Sequence, residues 1–257
     1  MTDHVTVTSA QGVLTLTLAR PDKMNALTNA MYATLADALT GAEADMSVRA
    51  IVIRGEGAMF TAGNDLAEFA AVATGGAAGE NHVLRFLSAL ASSTKPLVAA
   101  VNGRAVGVGT TLLLHCDFVV LAEDALLSTP FVNLALVPEA ASSLLLPARI
   151  GHARAFEMFA LGKPISAAQA LAWGIANRVV PKTELHDEAH QIAELLAKQA
   201  AGSLKMTKVL MRQGEAVAAQ MALEGAQFAE RLRSLEAREA FTAFAQKRAP
   251  DFSKFAA

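Results

Sequence analysis

Leu97-Val98-Ala99-Ala100-Val101-Asn102-Gly103-Arg104-Ala105-Val106-Gly107-Val108-Gly109 decides how this chain folds. Five consecutive apolar residues are too short a run for a helix and predict a strand buried on both faces. Asn102-Gly103 ends it. Gly107 and Gly109 then mark an elbow, where a missing side chain lets the backbone turn sharply or approach a ligand. The same order occurs upstream. Ala50-Ile51-Val52-Ile53 predicts a strand, and Gly55, Gly57 and Gly63 follow in Gly55-Glu56-Gly57-Ala58-Met59-Phe60-Thr61-Ala62-Gly63-Asn64-Asp65. Downstream, residues 106–115 read as helical and Phe118-Val119-Val120-Leu121-Ala122 as a further strand. Strand, elbow, helix and strand recur from about residue 50 to residue 135, which argues for an α/β fold.

Toward the N-terminus, residues 5–19 predict a hairpin: Leu14-Thr15-Leu16-Thr17-Leu18 alternates with period two, and Gln11-Gly12 supplies the turn. Residues 28–44 predict a helix capped by Thr28, with Met31, Leu35, Ala38 and Leu39 at helical spacing. Thr74-Gly75-Gly76-Ala77-Ala78-Gly79 reads as a flexible loop, and a helix is predicted over 80–92. From Gly151 onward the pattern is almost wholly helical. Ser166 and Gly174 bracket one short helix as cap and stop. The stretch 203–246, rich in Ala, Leu, Glu, Arg and Gln, predicts helices that pack on the core or on a neighbouring subunit.

Composition narrows the function. Of 257 residues, 53% are apolar and 18% charged, against ~25% charged in an average domain. Whole-chain disorder is excluded. A net charge of −2 argues against nucleic acid or an anionic membrane as the main partner, and 5% aromatic residues argue against a base-stacking surface. One cysteine, Cys116, excludes a disulfide framework and reads as a core residue. No uncharged run reaches the ~18 residues of a membrane span, and no secretory signal is visible. The expectation is a cytoplasmic protein.

Several residues invite chemistry. Neither glycine set spells a nucleotide-binding fingerprint, and each alone reads as a tight turn. Two elbows that each follow a buried strand can also aim backbone N–H groups at one point, as an oxyanion hole requires. Glu139, in Leu136-Val137-Pro138-Glu139-Ala140-Ala141-Ser142-Ser143, is the only acidic residue between Asp124 and Glu157. Pro138 predicts a helix start there. Glu139 is then either a carboxylate favoured by the helix dipole or a general base desolvated by its apolar surroundings. His186 and His190 lack the intervening pattern of a zinc hydrolase, and Ser142-Ser143 lacks a nucleophile elbow.

These motifs carry a family resemblance. Arg20-Pro21-Asp22-Lys23-Met24-Asn25-Ala26-Leu27 resembles the opening motif of the crotonase (enoyl-CoA hydratase/isomerase) superfamily. Phe60-Thr61-Ala62-Gly63-Asn64-Asp65-Leu66 resembles its first elbow and Val101 to Gly109 its second. Leu161-Gly162, Ile165-Ser166-Ala167 and Ala170 to Asn177 continue the match. The resemblance implies an α/β spiral of ββα repeats forming two sheets, divided into a core for acyl-CoA binding and catalysis (residues 1–195) and a C-terminal helical trimerisation region (196–257). It implies a homotrimer or a hexamer built from two trimers. It implies an acyl-CoA thioester as substrate, with no metal or redox cofactor, coenzyme A being part of the substrate. The N–H groups of Asn64 and Val108 would grip the thioester oxygen. Lys23, Met24, Ala26, Ala62, Asp65 and Leu66 would lie along the CoA, which Lys247-Arg248 and Phe252 are placed to approach.

Departures from the family pattern bear on the reaction. The two glutamates of the hydratases fall on Thr111 and Phe131, which leaves no carboxylate at either position and makes both substrate-pocket candidates. Thr129-Pro130-Phe131-Val132-Asn133-Leu134 and Pro138-Glu139-Ala140-Ala141 instead resemble the peroxisomal-type 3,2-trans-enoyl-CoA isomerases, in which the glutamate after proline is the lone base. Ala140 and Ala141 stand where that branch usually has glycines. Asn133 is either an orienting neighbour of Glu139 or a turn residue. The implied activity is conversion of a 3-enoyl-CoA to the 2-trans isomer. The alternatives are a hydratase-like or other reaction on an acyl-CoA thioester, and a non-catalytic acyl-CoA-binding scaffold.

Overall fold

A computed structural model of the chain describes residues 2–68 and 81–255; the loop read at 74–79 lies outside them. The main sheet holds six strands in the order β1 (Val5–Ala10), β2 (Val13–Leu18), β3 (Ala50–Gly55), β4 (Leu97–Val101), β6 (Phe118–Ala122) and β9 (Arg178–Val180). The predicted hairpin is present: β1 and β2 are antiparallel across Gln11-Gly12, both at positive φ. All other pairings in this sheet are parallel. A second sheet is built from β5 (Arg104–Val106), β7 (Leu126–Ser128) and β8 (Ile165–Ser166).

Period-two alternation sends the parallel strands' side chains to two different cores. Leu16, Leu18, Ile51, Ile53, Leu97, Ala99, Val101, Val119 and Leu121 belong to the larger one. It is closed by α1 (Asn29–Ala44) and α2 (His82–Ser92), which pack on each other through Tyr32 and Phe86 at 5.4 Å between ring centroids. Thr28 caps α1 as predicted, accepting from Met31 N. The intervening residues Val52, Val98, Ala100, Val120 and Ala122 face the other way, onto Leu185, Ala189, Ile192 and Ala193 of α7 (Leu185–Ala197). Burial on both faces explains why these strands read as unbroken apolar runs.

The repeat read from the sequence is a long strand in the large sheet, a short strand in the small sheet, then a helical turn. β4 is followed by β5 and α3 (Val108–Thr111), and β6 by β7 and a 3₁₀ turn at Val132–Leu134. The helix predicted over 106–115 is therefore shorter than expected. Its first residue, Val106, ends β5 of the second sheet, and Leu112–His115 tightens into 3₁₀. The helix start predicted at Pro138 also moves. α4 spans Ser142–Ile150, because Ala140 and Ala141 adopt left-handed φ of 62° and 54° and keep Glu139 in a turn before the helix.

Beyond Gly151 the chain forms α5 (His152–Leu161), α6 (Ala167–Ala172), α7, α8 (Ala201–Met211), α9 (Gly214–Leu232) and α10 (Leu235–Ala245). Ser166 and Gln169 make a full capping box at α6, and Gly174 follows it at φ 83°. The short strands β8 and β9 interrupt what the sequence presents as helical. Each is an edge strand whose partner, not its own pattern, makes it extended. Buried Lys208 anchors α8, donating to Asp117 Oδ2 at 2.6 Å. Among the described residues, no helix is long and apolar enough to cross a membrane.

Leu185, fully buried at the start of α7, tests this layering. Leu185→Ala is expected to lower unfolding free energy by about 2–5 kcal/mol in a urea titration. An unchanged midpoint would show that α7 does not close the second core.

Candidate active site

The site begins with a main-chain contact between the two elbows. Thr61 and Ala105 form a parallel bridge: Thr61 N–H donates to Arg104 O and Val106 N–H to Thr61 O, each at 3.1 Å. Counting three residues on from this pair along both chains gives Asn64 and Val108. The elbows touch so closely that a Cβ on Gly63 (φ 88°) would lie 2.7 Å from Val106 O, and one on Gly109 2.4 Å from Thr61 Cγ2. Both glycines are demanded by this approach.

A second bridge leaves one amide free. Leu27 N–H donates to Gly63 O and Leu27 O accepts from Asp65 N–H, so the intervening Asn64 N–H turns away from Leu27. Among the described residues, neither Asn64 N–H nor Val108 N–H donates to a protein acceptor. Asn64 is further fixed through its side chain, whose Oδ1 accepts a 2.5 Å hydrogen bond from the Tyr32 hydroxyl.

The segment 20–27 is strapped along the first elbow. Asn25 Nδ2 donates to Glu56 O and Met59 O, both at 2.9 Å, and Ala62 N–H donates to Met24 O. Arg20 donates to Ala26 O and pairs with Asp65 at 2.7 Å. These bonds tie Met24, Ala26, Ala62 and Asp65 together, with Lys23 and Met24 exposed.

A cavity of about 1140 Å³ opens beside Asn64. Leu27, Val83, Leu84, Leu87, Met221 and Phe228 give it an apolar wall, and Tyr32, Asn64 and Glu139 bring polar atoms to it. Among the described residues, three carboxylates reach the cavity. Asp65 is held by Arg20, which keeps its acidity on the strong side despite partial burial. Glu68 is exposed and accepts from Asn29 N–H. Glu139 is buried, and its Oε1 finds no partner among the described residues. Burial, followed by the charge of Glu224, pushes its pKa up to about 8. Burial likewise drives the Tyr32 phenol well above its usual range, so it stays a neutral donor.

Thr111, Phe131 and Asn133 do not reach this cavity. The Thr111 hydroxyl bonds Val108 O in its own turn at 3.4 Å, and Phe131 packs on Phe159 at 6.2 Å. Asn133 is exposed, with its Oδ1 against Gly162. Arg248 pairs with Glu239, and Phe252 lines a separate 260 Å³ cavity with Arg231 and Glu236. Among the described residues, no three His, Cys, Asp or Glu side chains converge as a metal site would require. Tyr32 and Glu224 were not singled out by the sequence. Tyr32 being the chain's single tyrosine was the available signal, whereas nothing local marks Glu224.

Comparison with known proteins agrees with the fold. The chain matches the enoyl-CoA hydratase/isomerase family over residues 8–254. It is 36% identical to 1,2-epoxyphenylacetyl-CoA isomerase of Escherichia coli, covering 95% of each chain. It is 37% identical to enoyl-CoA delta isomerase 2 of Rattus norvegicus, covering 82% of this chain and 55% of the relative. The crystal structure of an enoyl-CoA hydratase/isomerase from Pseudoalteromonas atlantica T6c superposes with a TM-score of 0.92 at 43% identity, covering 97% of this chain and 100% of that one. This chain belongs to the enoyl-CoA hydratase/isomerase family and is an enzyme of that family with the crotonase fold.

Titration of Glu139 has a stability signature. Its folded pKa lies above its ordinary value of 4.5, so the unfolded state gives up the proton first. The wild-type protein therefore loses stability as pH rises from about 4.5 to about 8, and loses no more above that. Glu139→Gln is expected to gain on wild type through this window, by up to about 1.4 kcal/mol per pH unit, in urea titrations. Parallel stability curves would contradict the buried, raised carboxylate.

Proposed function

We propose that this enzyme moves the double bond of a 3-enoyl-CoA into conjugation, giving the 2-trans-enoyl-CoA, with Glu139 as the single proton shuttle. The observation that carries this reading is the unpartnered Oε1 of a buried glutamate facing the same cavity as Asn64.

The C2 proton of the substrate is weakly acidic because its loss gives a dienolate. Asn64 N–H and Val108 N–H hold the thioester oxygen as it becomes negative, and such a donor typically stabilises the transition state by ~2.7–4 kcal/mol. The Glu139 carboxylate takes the proton from C2, and the electron pair shifts through C2–C3. Glu139 then returns the proton to C4. No atom is gained or lost. One carboxylate suffices because C2 and C4 lie on one face of the dienolate. A pKa of about 8 suits the task, since a base with a pKa near the working pH is both available and strong. The apolar wall keeps water from the intermediate and strengthens the hydrogen bonds. The step calls on no metal or redox cofactor.

Hydration is the second reading, favoured by the family's breadth. Syn addition of water needs one group to activate water and another to handle the C2 proton. Thr111 and Phe131, at the positions where hydratases carry glutamates, offer neither to the cavity. The relatives are mixed by name, enoyl-CoA delta isomerases supporting the first reading and hydratases the second. Apolar side chains left exposed on α8 to α10, including Leu210, Met211, Leu235 and Phe244, support self-association as a trimer or hexamer.

With 3-hexenoyl-CoA, conjugation raises ultraviolet absorbance. Wild type is expected to give this rise, and Glu139→Gln to lose at least a hundredfold in turnover while still binding the ligand. Near-normal turnover in Glu139→Gln would refute the assignment. Water addition to 2-hexenoyl-CoA at a comparable rate would favour hydration.

A further inference from the structure

We propose that Glu224, on α9, is the positioning residue for Glu139: it clamps the turn that presents the base. The proposal rests on the reading of Glu139 as the base.

The turn needs a clamp. Ala140 and Ala141, directly after Glu139, sit at φ 62° and 54°. A non-glycine residue there costs roughly 1–2 kcal/mol, and such strain persists only where the surroundings enforce it. Two groups do so from opposite sides. Buried His115 bonds Ala140 O through Nε2 at 2.7 Å. Burial lowers its pKa to about 4, so the ring is neutral and Nε2 carries the donated hydrogen. From the other side, Glu224 Oε1 accepts from both Ser143 N–H (2.9 Å) and Ser143 Oγ (2.5 Å). Gln220, one turn earlier on α9, donates to the same hydroxyl at 2.8 Å. A helix some eighty residues away thus grips the first turn of α4 and, through it, Glu139.

Glu224 also acts through its charge. It is buried, and its Oε2 has no partner among the described residues. Burial raises its pKa while the Ser143 bonds oppose that rise, and its charge is felt at Glu139. Among the described residues, other titratable groups around Glu139 are Tyr32 from α1, Asp65 and Glu68 at the cavity border, and His115, which bonds Ala140 O. Tyr32 and His115 stay neutral near pH 7, Asp65 is paired with Arg20, and Glu68 is solvated. Among the described residues, the α2 side chains that line the cavity are Val83, Leu84, Leu87, Ser88, Ala91 and Ser92, none of them ionisable. Removing the Glu224 charge should therefore weaken the base with little interference.

Two variants separate grip from charge. Glu224→Gln keeps an oxygen for Ser143 and drops the charge; Glu224→Ala drops both. Turnover and KM for 3-hexenoyl-CoA are measured from pH 5 to pH 10, beside Glu139→Gln. For Glu224→Gln the midpoint of the acid limb is expected to fall, with KM within twofold. For Glu224→Ala, turnover at pH 8 should fall about tenfold or more. Ser143→Ala, which removes one of the two bonds, covers the case in which Glu224→Ala does not fold, and its turnover should fall severalfold. A purely structural role for Glu224 would lower thermal stability and leave the midpoint where it was. A wild-type profile in Glu224→Gln together with full turnover in the other variants overturns the proposal while Glu139→Gln is inactive. Activity retained in Glu139→Gln would instead remove the reading beneath it.

Discussion

Two backbone hydrogen bonds between Thr61 and the Arg104–Val106 segment hold the rest of the site in place. They lock the two elbows in parallel register at Thr61 and Ala105, three residues before Asn64 and Val108. The large sheet supplies the two strands, β3 and β4, already parallel and adjacent. The glycines supply the clearance, and the Leu27 bridge leaves Asn64 N–H without an internal partner. Donors built from main chain need no side-chain reorganisation when charge appears on a bound oxygen, which is the economy of this kind of site.

Against these donors the fold sets one desolvated carboxylate. Taking a glutamate out of water is unfavourable, and the protein meets that cost by letting Glu139 hold its proton to about pH 8. The same burial that makes the group costly makes it a base of useful strength. Its turn is strained at Ala140 and Ala141 and held by contacts from two distant segments. That local strain is offset by the two cores on either side of the sheet.

Much of this was legible in the sequence. The buried strands announce themselves as apolar runs, the Thr28 and Ser166 caps mark helix starts, and the glycine pattern marks both elbows. Glu139 stood out as a lone acid in apolar surroundings. What escaped depends on contacts across the fold. β8 and β9 are strands only because a neighbour pairs with them. Pro138 suggested a helix start, but the left-handed alanines postpone it to Ser142. Tyr32 was not among the positions read on α1, and only the fold brings its hydroxyl to Asn64 Oδ1. Glu224 lies 85 positions beyond Glu139, and no local pattern links them. Thr111, Phe131 and Asn133, taken as pocket residues from the resemblance, turn into their own turns or onto neighbours, since their side-chain directions follow from packing rather than spacing.

The most direct measurement is a crystal structure of the Glu139→Gln variant with 3-hexenoyl-CoA bound. The account predicts the thioester oxygen at about 3 Å from both Asn64 N and Val108 N, with C2 and C4 of the acyl chain facing the residue-139 side chain. A thioester oxygen away from either amide, or an acyl chain directed away from residue 139, would contradict it.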